Sequence, residues 1–283
     1  MKKILQSIAD YIRETDKLLL CLCITASLFG AMLIWSSGGS GLLETQLLCL
    51  FIGLSVAVFI SMFDFKTISK FTLVFLAVCA LLIIYTYFFG LTPKGTNDKA
   101  WIELPGGTTF QPSELLKTTF ILAFAKHVSM IRDEVNKPLN ILLLCIHGAT
   151  PALLIHFVQG DDGTALILAF IFLAMLFMAG IKIRYFAVAG AFITSLLPFV
   201  WFFLLNNDQK SRIINVFNPE YDLRGSGWQS WQGRIAIGSG GLKGYGLFNG
   251  PIVQNGRLPE SPNDFIFASA GEEPGFLGCI SIL

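Results

Sequence analysis

The run Leu18-Leu19-Leu20-Cys21-Leu22-Cys23-Ile24-Thr25-Ala26-Ser27-Leu28-Phe29-Gly30-Ala31-Met32-Leu33-Ile34-Trp35-Ser36 contains no charged residue. Crossing the hydrocarbon core of a bilayer takes about 20 apolar residues of helix, and this run meets that requirement. Cys21 to Ile34 could mimic the apolar region of a signal peptide. Comparable runs follow it, so it is read as a first span that stays in the protein. Those runs lie at about 46–63, 71–90, 114–131, 139–158, 163–181, 185–205 and 265–283. Seven are complete, and the eighth starts at Phe265 and reaches the C-terminus. The fourth is the least apolar, because Lys117 and Lys126 lie within it.

Composition agrees. The chain has 283 residues, 54% hydrophobic and only 14% charged, and a mean hydropathy of +0.66. Soluble domains carry about 25% charged residues, so a water-soluble enzyme or a disordered chain is excluded. Lys+Arg 20 against Asp+Glu 19 leaves no global field to recruit nucleic acid. The expected fold class is an all-α polytopic membrane protein. Cys21, Cys23, Cys49, Cys79, Cys145 and Cys279 all sit inside apolar runs, as small hydrophobes do, and suggest no disulfide framework. His127, His147 and His156 are expected to form no cluster, and no zinc site is expected.

Basic residues set the orientation. With the N-terminus in the cytoplasm, the inside segments hold Lys2, Lys3, Arg13 and Lys17, then Lys66 and Lys70, then Lys126, Arg132 and Lys137, then Lys182 and Arg184. The short outside loops hold only Lys94 and Lys99. Met1 to Asp16 is an amphipathic cytoplasmic lead-in, with Ile4, Ile8 and Ile12 on one face. The expected layout is thus a lead-in over 1–17, helices one to seven over 18–205, a large extracytoplasmic loop over 206–263 and helix eight over 264–283. The loop is rich in glycine, and Trp228, Trp231, Ile235, Leu242 and Phe248 argue that it packs or dips into the membrane.

Ionisable residues at membrane depth are costly and point to function. Glu114 and Lys117 open the fourth span at i, i+3 spacing, on one helix face, where a local ion pair is the plainer reading. Asp161 and Asp162 open the sixth, where aspartate also serves as a helix cap. Asp264 stands where the long loop enters the eighth run and could likewise cap it. Glu272 and Glu273 lie two turns deeper, about 100° apart around the helix, so at least one is expected to face a polar cavity. Carboxylates near a lysine at a membrane surface suit acid–base chemistry on a lipid-linked substrate, and equally suit proton coupling in a transporter. The stretch Gly238 to Gly246 lacks the flanking strand and helix of a nucleotide-binding loop, yet its amides could hold a pyrophosphate or a carboxylate.

Several segments share one pattern. Trp101-Ile102 precedes Gln111-Pro112-Ser113-Glu114-Leu115-Leu116-Lys117, and Gln159-Gly160-Asp161-Asp162-Gly163-Thr164-Ala165 follows. Then come Arg212-Ile213, Asn218-Pro219-Glu220, Gly227-Trp228-Gln229, Ala236-Ile237-Gly238-Ser239-Gly240-Gly241-Leu242, Leu258-Pro259-Glu260-Ser261-Pro262-Asn263-Asp264-Phe265-Ile266-Phe267 and Gly271-Glu272-Glu273. Together these resemble, in order, the motifs of the SEDS family, the RodA/FtsW/SpoVE proteins of bacterial elongation, division and sporulation. Gly160, Asp162 and Pro262-Asn263 depart from that pattern, and Pro274 is expected to kink the eighth span.

The resemblance implies a peptidoglycan glycosyltransferase of the bacterial cytoplasmic (inner) membrane that polymerises lipid II beside a class B penicillin-binding protein, with no nucleic-acid partner. It implies Asp264 as the catalytic base, with Trp101, Gln111, Glu114, Lys117, Asp161, Arg234, Ser239, Glu260, Glu272 and Glu273 binding or supporting substrate. It implies no certain cofactor, with a divalent cation left open. Lys117, Arg234 or a divalent cation such as Mg²⁺ would stabilise the leaving pyrophosphate. Family members carry ten spans, so helices nine and ten are expected to be absent here. Two other readings stay open: a lipid II transporter, and a truncated, non-catalytic membrane partner of a penicillin-binding protein.

Overall fold

The computed structural model describes residues 16–92, 98–104, 108–223, 225 and 227–283. The expected amphipathic lead-in falls outside them, apart from Asp16. The described chain is a multi-pass helical membrane protein that divides into two compact units, Met1–Met62 with Leu196–Leu283, and Phe63–Ser195.

In the first unit, α1 (Lys17–Gly38) opens on Asp16, whose carboxylate accepts from the amides of Leu18 and Leu19. Gly39, at φ +83°, turns the chain at once into α2 (Ser40–Ser61), which therefore begins at Ser40 and not near Gln46, and includes Glu44. The second unit holds α3 (Phe65–Lys70), α4 (Thr72–Phe89), α5 (Pro112–Met130), α6 (Pro138–Gln159), α7 (Asp162–Met178) and most of α8 (Ile183–Phe199). A π-turn over Val200–Leu204 follows Pro198 and extends α8.

Among the described residues, five helices are long and apolar enough to cross a membrane: Lys17–Gly38, Ser40–Ser61, Thr72–Phe89, Pro138–Gln159 and Ile183–Leu204. The apolar α7 is shorter, and α5 carries Glu114, Lys117 and Lys126. Phe157, Leu166, Phe170 and Met178 are each more than 70% exposed. In a bilayer, apolar side chains meet lipid at no cost, and the helices associate through packing and polar contacts instead. The second unit's core is Phe120, Phe124, Ile83, Leu144, Ile155 and Leu168. Gly148 lets α6 approach α7, since a Cβ there would lie 2.0 Å from the Phe172 ring.

The expected all-α class stands, with one short two-stranded hairpin, Ile102–Glu103 (β1) against Thr109–Phe110 (β2), described before α5. Two expectations change. The segment 206–263 is built from helices and turns: α9 (Asn207–Phe217), a 3₁₀ turn Pro219–Asp222, α10 (Gly227–Ser239) and α11 (Pro251–Gln254). Asn206 and Gln209 form a capping box that starts α9. Finally, the eighth run is not one helix. It breaks into α12 (Ile266–Glu272) and α13 (Gly275–Ile282) around Pro274.

In an unbroken helix, the amides of Phe276 and Leu277 would bond the carbonyls of Glu272 and Glu273. Here the glycine-rich segment supplies all four partners. Phe276 N donates to Gly241 O at 2.9 Å and Leu277 N to Leu242 O at 3.3 Å, while Tyr245 N reaches Glu272 O at 3.0 Å and Gly246 N reaches Glu273 O at 2.8 Å. Unpaired backbone groups in hydrocarbon cost several kcal/mol each, which is why such a break needs a peptide strand laid against it. Only glycine fits. Gly244, at φ +70°, would bring a Cβ to 1.9 Å from Glu273 O, and Gly240 would bring one to 2.0 Å from Gly271 O. The amides of Tyr245 and Gly246 are thus held by the chain's own carbonyls and not by a bound anion.

Gly244→Ala should therefore lower the thermal unfolding midpoint in detergent by at least about 5 °C, combining a left-handed backbone with a steric clash. Gly53→Ala on α2, where a Cβ meets nothing within 4 Å, should leave it unchanged. Equal midpoints for the two variants would contradict this account of the break.

Candidate active site

In the Phe63–Ser195 unit, the motif residues gather where α5 starts, α6 stops and α7 starts. Gly160, at φ +74°, ends α6 and reverses the chain. Asp161 then caps α7 by accepting from Thr164 N at 2.8 Å. Its second oxygen accepts from Gln111 Nε2 at 2.9 Å, which ties the first residue before α5 to the start of α7. Asp161 is therefore both the expected cap and a cross-link. Gln159, 1% exposed, donates to Thr86 Oγ1 at 2.8 Å, and its carbonyl accepts from Lys99 N at 2.9 Å. Thr86 escaped the sequence reading because a lone threonine in an apolar span carries no motif.

Trp101 is half-buried at the hairpin's edge, its carbonyl accepting from Leu91 N at 2.8 Å. One turn into α5, Lys117 Nζ lies 2.7 Å from Glu114 Oε1, the ion pair that the i, i+3 spacing allows. Exposed pairs of this kind contribute about 0–1 kcal/mol, so it fixes the lysine's position more than the fold's stability. Asp162 pairs with His156 at 2.6 Å on the exposed rim.

In the other unit, the two deep carboxylates are both completely buried. Glu272 Oε1 and Oε2 accept from the amides of Ile252 and Val253 at 2.7 and 2.9 Å, so this side chain caps α11. Gly250 makes room, since a Cβ there would lie 2.6 Å from Glu272 Oε2. Glu273 Oε1 accepts from Ser36 Oγ at 2.7 Å and from Gln254 Nε2 at 2.9 Å, which joins α1 to the broken helix. Its other oxygen is buried without a partner among the described residues.

Asp264 has a different environment. The turns before it are closed by bonds from Ser261 N to Leu258 O and from Asn263 N and Phe265 N to Glu260 O, with Leu258 buried beneath. Glu260 also accepts from Asn263 Nδ2 at 3.0 Å. Phe265, not Asp264, occupies the cap position of α12, so Asp264 does not cap that helix. Its side chain is exposed on a cleft of about 320 Å³ whose wall includes Arg234, Ser230, Asn215 and Phe267. Arg234 Nη2 donates to Val216 O at 3.3 Å, which leaves further guanidinium donors. Gly233 lets α10 close on Phe265, a Cβ there meeting the ring at 3.0 Å. Ser239, also on α10, donates to its own helix at Ala236 O.

Of the six candidate carboxylates, Glu114, Asp161, Glu260, Glu272 and Glu273 bond to groups of the chain, whereas Asp264 has neither a hydrogen bond nor an ion pair among the described residues. A carboxylate left open beside an arginine can take a proton from a bound hydroxyl while the arginine holds an anionic group. Among the described residues, no three His, Cys, Asp or Glu side chains gather to hold a metal ion. The donor set thus does not form a metal cage.

The model of the FtsW/RodA/SpoVE family, described as cell cycle protein, matches residues 7–283. The peptidoglycan glycosyltransferase MrdB of Escherichia coli K12 is 32% identical over 271 residues, covering 95% of this chain and 72% of that protein. A probable peptidoglycan glycosyltransferase FtsW from Trichlorobacter lovleyi is 30% identical, with the same coverage. Among solved structures, one reported for the structural coordination of polymerization and crosslinking by a peptidoglycan synthase complex has a TM-score of 0.74 at 22% identity, covering 95% of this chain and 74% of that one. The crystal structure of Thermus thermophilus rod shape determining protein RodA has a TM-score of 0.63 at 21% identity, covering 95% and 70%. These two likenesses establish the fold.

The contrast between carboxylates is testable through stability alone. Glu272→Ala strands two buried amides and should destabilise by about 2–5 kcal/mol. Asp264→Asn, with no partner to lose, should unfold within about 1–2 °C of the unsubstituted protein in the same detergent. A loss for Asp264→Asn as large as that for Glu272→Ala would make Asp264 a structural residue.

Proposed function

This chain belongs to the FtsW/RodA/SpoVE family of cell cycle proteins, and from that premise we propose that it is a peptidoglycan glycosyltransferase that polymerises lipid II at the bacterial cytoplasmic membrane. The observation that carries the residue assignment is the open carboxylate of Asp264 on the same cleft as Arg234.

The acceptor sugar's 4-hydroxyl attacks the anomeric carbon of the lipid-linked donor. A new C–O bond forms as the bond to undecaprenyl pyrophosphate breaks, and configuration inverts from α to β in a single displacement. Asp264 takes the hydroxyl proton and later releases it to water. Arg234 stabilises the charge that grows on the pyrophosphate.

In the second unit, Lys117 is positioned by Glu114, and Gln111 by Asp161. With Trp101 they are the proposed substrate-supporting residues of that unit. Glu260 and Ser239 support the Asp264 loop and α10 by their local bonds. Glu272 and Glu273 support the cleft indirectly, by holding α11 and the helix break. Basic residues in the loops favour a cytoplasmic N-terminus, with Asp264 on the opposite side, and family membership makes a class B penicillin-binding protein the proposed partner.

Protein purified with such a partner and supplied with labelled lipid II should make glycan strands visible on a gel. Asp264→Ala should reduce the rate by at least about 10²-fold, and Arg234→Ala by about 10²-fold through loss of charge stabilisation. Absence of polymer from the unsubstituted protein with its partner present would overturn the proposal.

A further inference from the structure

A second pocket, of about 260 Å³, lies within the Phe63–Ser195 unit where α4, α5 and α6 meet. One side is formed by Lys126, His127 and His147, the other by Leu73, Leu76 and Met130. Neither wall contributes to the chemistry assigned to Asp264. Lys126 Nζ is anchored on the Ser69 carbonyl at 2.9 Å, which fixes the ammonium at the pocket and leaves it further N–H donors. Contrary to the expectation that the histidines form no cluster, the folded chain brings two of them together, the imidazoles of His127 and His147 facing each other, Nδ1 to Nδ1, at 3.0 Å. Such a contact holds one proton between the rings, so one Nδ1 donates, the other accepts, and an Nε2–H remains to donate elsewhere. No carboxylate lines the pocket.

A fixed cation and two imidazoles at a membrane-spanning bundle, with no acidic neighbour in the lining, call for an anion. The apolar wall says which kind. Leu73 is 72% and Met130 78% exposed, so this apolar wall is open at the surface of the helices, where an acyl chain can reach it. The surrounding segments carry the exposed Lys66, Lys70 and Arg132 together with Asp64 and Asp133, while Lys137 is paired with Glu134, so charged groups mark this end of the helices as the level of a headgroup layer. Basic pockets between spanning helices bind anionic lipid headgroups. We propose that this pocket binds an anionic phospholipid, its phosphate held by Lys126 and the His127–His147 pair and an acyl chain laid along Leu73, Leu76 and Met130. The site is independent of glycosyl transfer and its failure would leave that reading untouched.

Native mass spectrometry of the detergent-purified chain, with phosphatidylglycerol or phosphatidylcholine added in equal amounts, tests it. Phosphatidylglycerol should be retained about fivefold or more over phosphatidylcholine. Lys126→Ala should remove most of that preference, Lys126→Arg should keep it, and His127→Gln should weaken it. Lys66→Ala, an exposed lysine outside the pocket, should leave it intact, and unfolding midpoints confirm that each variant is folded. Equal retention of the two lipids, or equal effects of Lys126→Ala and Lys66→Ala, would overturn the site. Displacement of the lipid by inorganic phosphate alone would identify a soluble-anion site and overturn the lipid assignment.

Discussion

Backbone groups inside a membrane need partners within the protein, and the break at Pro274 is where this chain meets that demand least locally. Two helical hydrogen bonds are lost there, and four bonds from the segment Gly241 to Gly246 replace them. The consequence spreads outward. The segment can lie that close only because Gly240, Gly244, Gly271 and Gly275 present no side chain. Its path then carries the chain to Gly250 and α11, whose amides take the Glu272 carboxylate. Glu273 reaches α1 through Ser36. The turns from Leu258 onward, and with them Asp264, are built on this clamp.

The clamp also sorts the charges. A carboxylate that bonds two amides or a hydroxyl and an amide is stabilised as a structural element, and removing it leaves donors stranded. Asp264 has no such duty. It stands exposed on a cleft whose lining also includes Arg234, and its proposed role as base rests on that opening. The same division runs through the second unit, where Asp161 holds two helix starts together and Glu114 holds Lys117. Burial and bonding, more than charge itself, separate the bonded carboxylates from the one proposed to act on substrate.

Much of this was legible in the sequence. Uncharged runs predicted the helices from Lys17–Gly38 to Ile183–Leu204 because apolar length is a local property. The i, i+3 pair Glu114–Lys117 and the Asp161 cap were also local and readable. What escaped was set by tertiary contact. The early start of α2 depends on the left-handed Gly39. The capping box of Asn206 and Gln209 was present as a signal, but the polar stretch after it was read as the start of one long loop. Pro274 announced a kink, yet nothing local said that Gly241 to Gly246 would fill it. The cavity expected for Glu272 or Glu273 is instead a set of protein donors, which only the folded chain reveals.

The central claim is that Asp264 is a base and not a tether for substrate. The most direct measurement compares lipid II binding and lipid II polymerisation by Asp264→Asn, an isosteric change that removes the proton acceptor. The account predicts near-unchanged binding with polymerisation lost. Polymerisation at the unsubstituted rate, or a loss of binding that matches the loss of polymer, would contradict it.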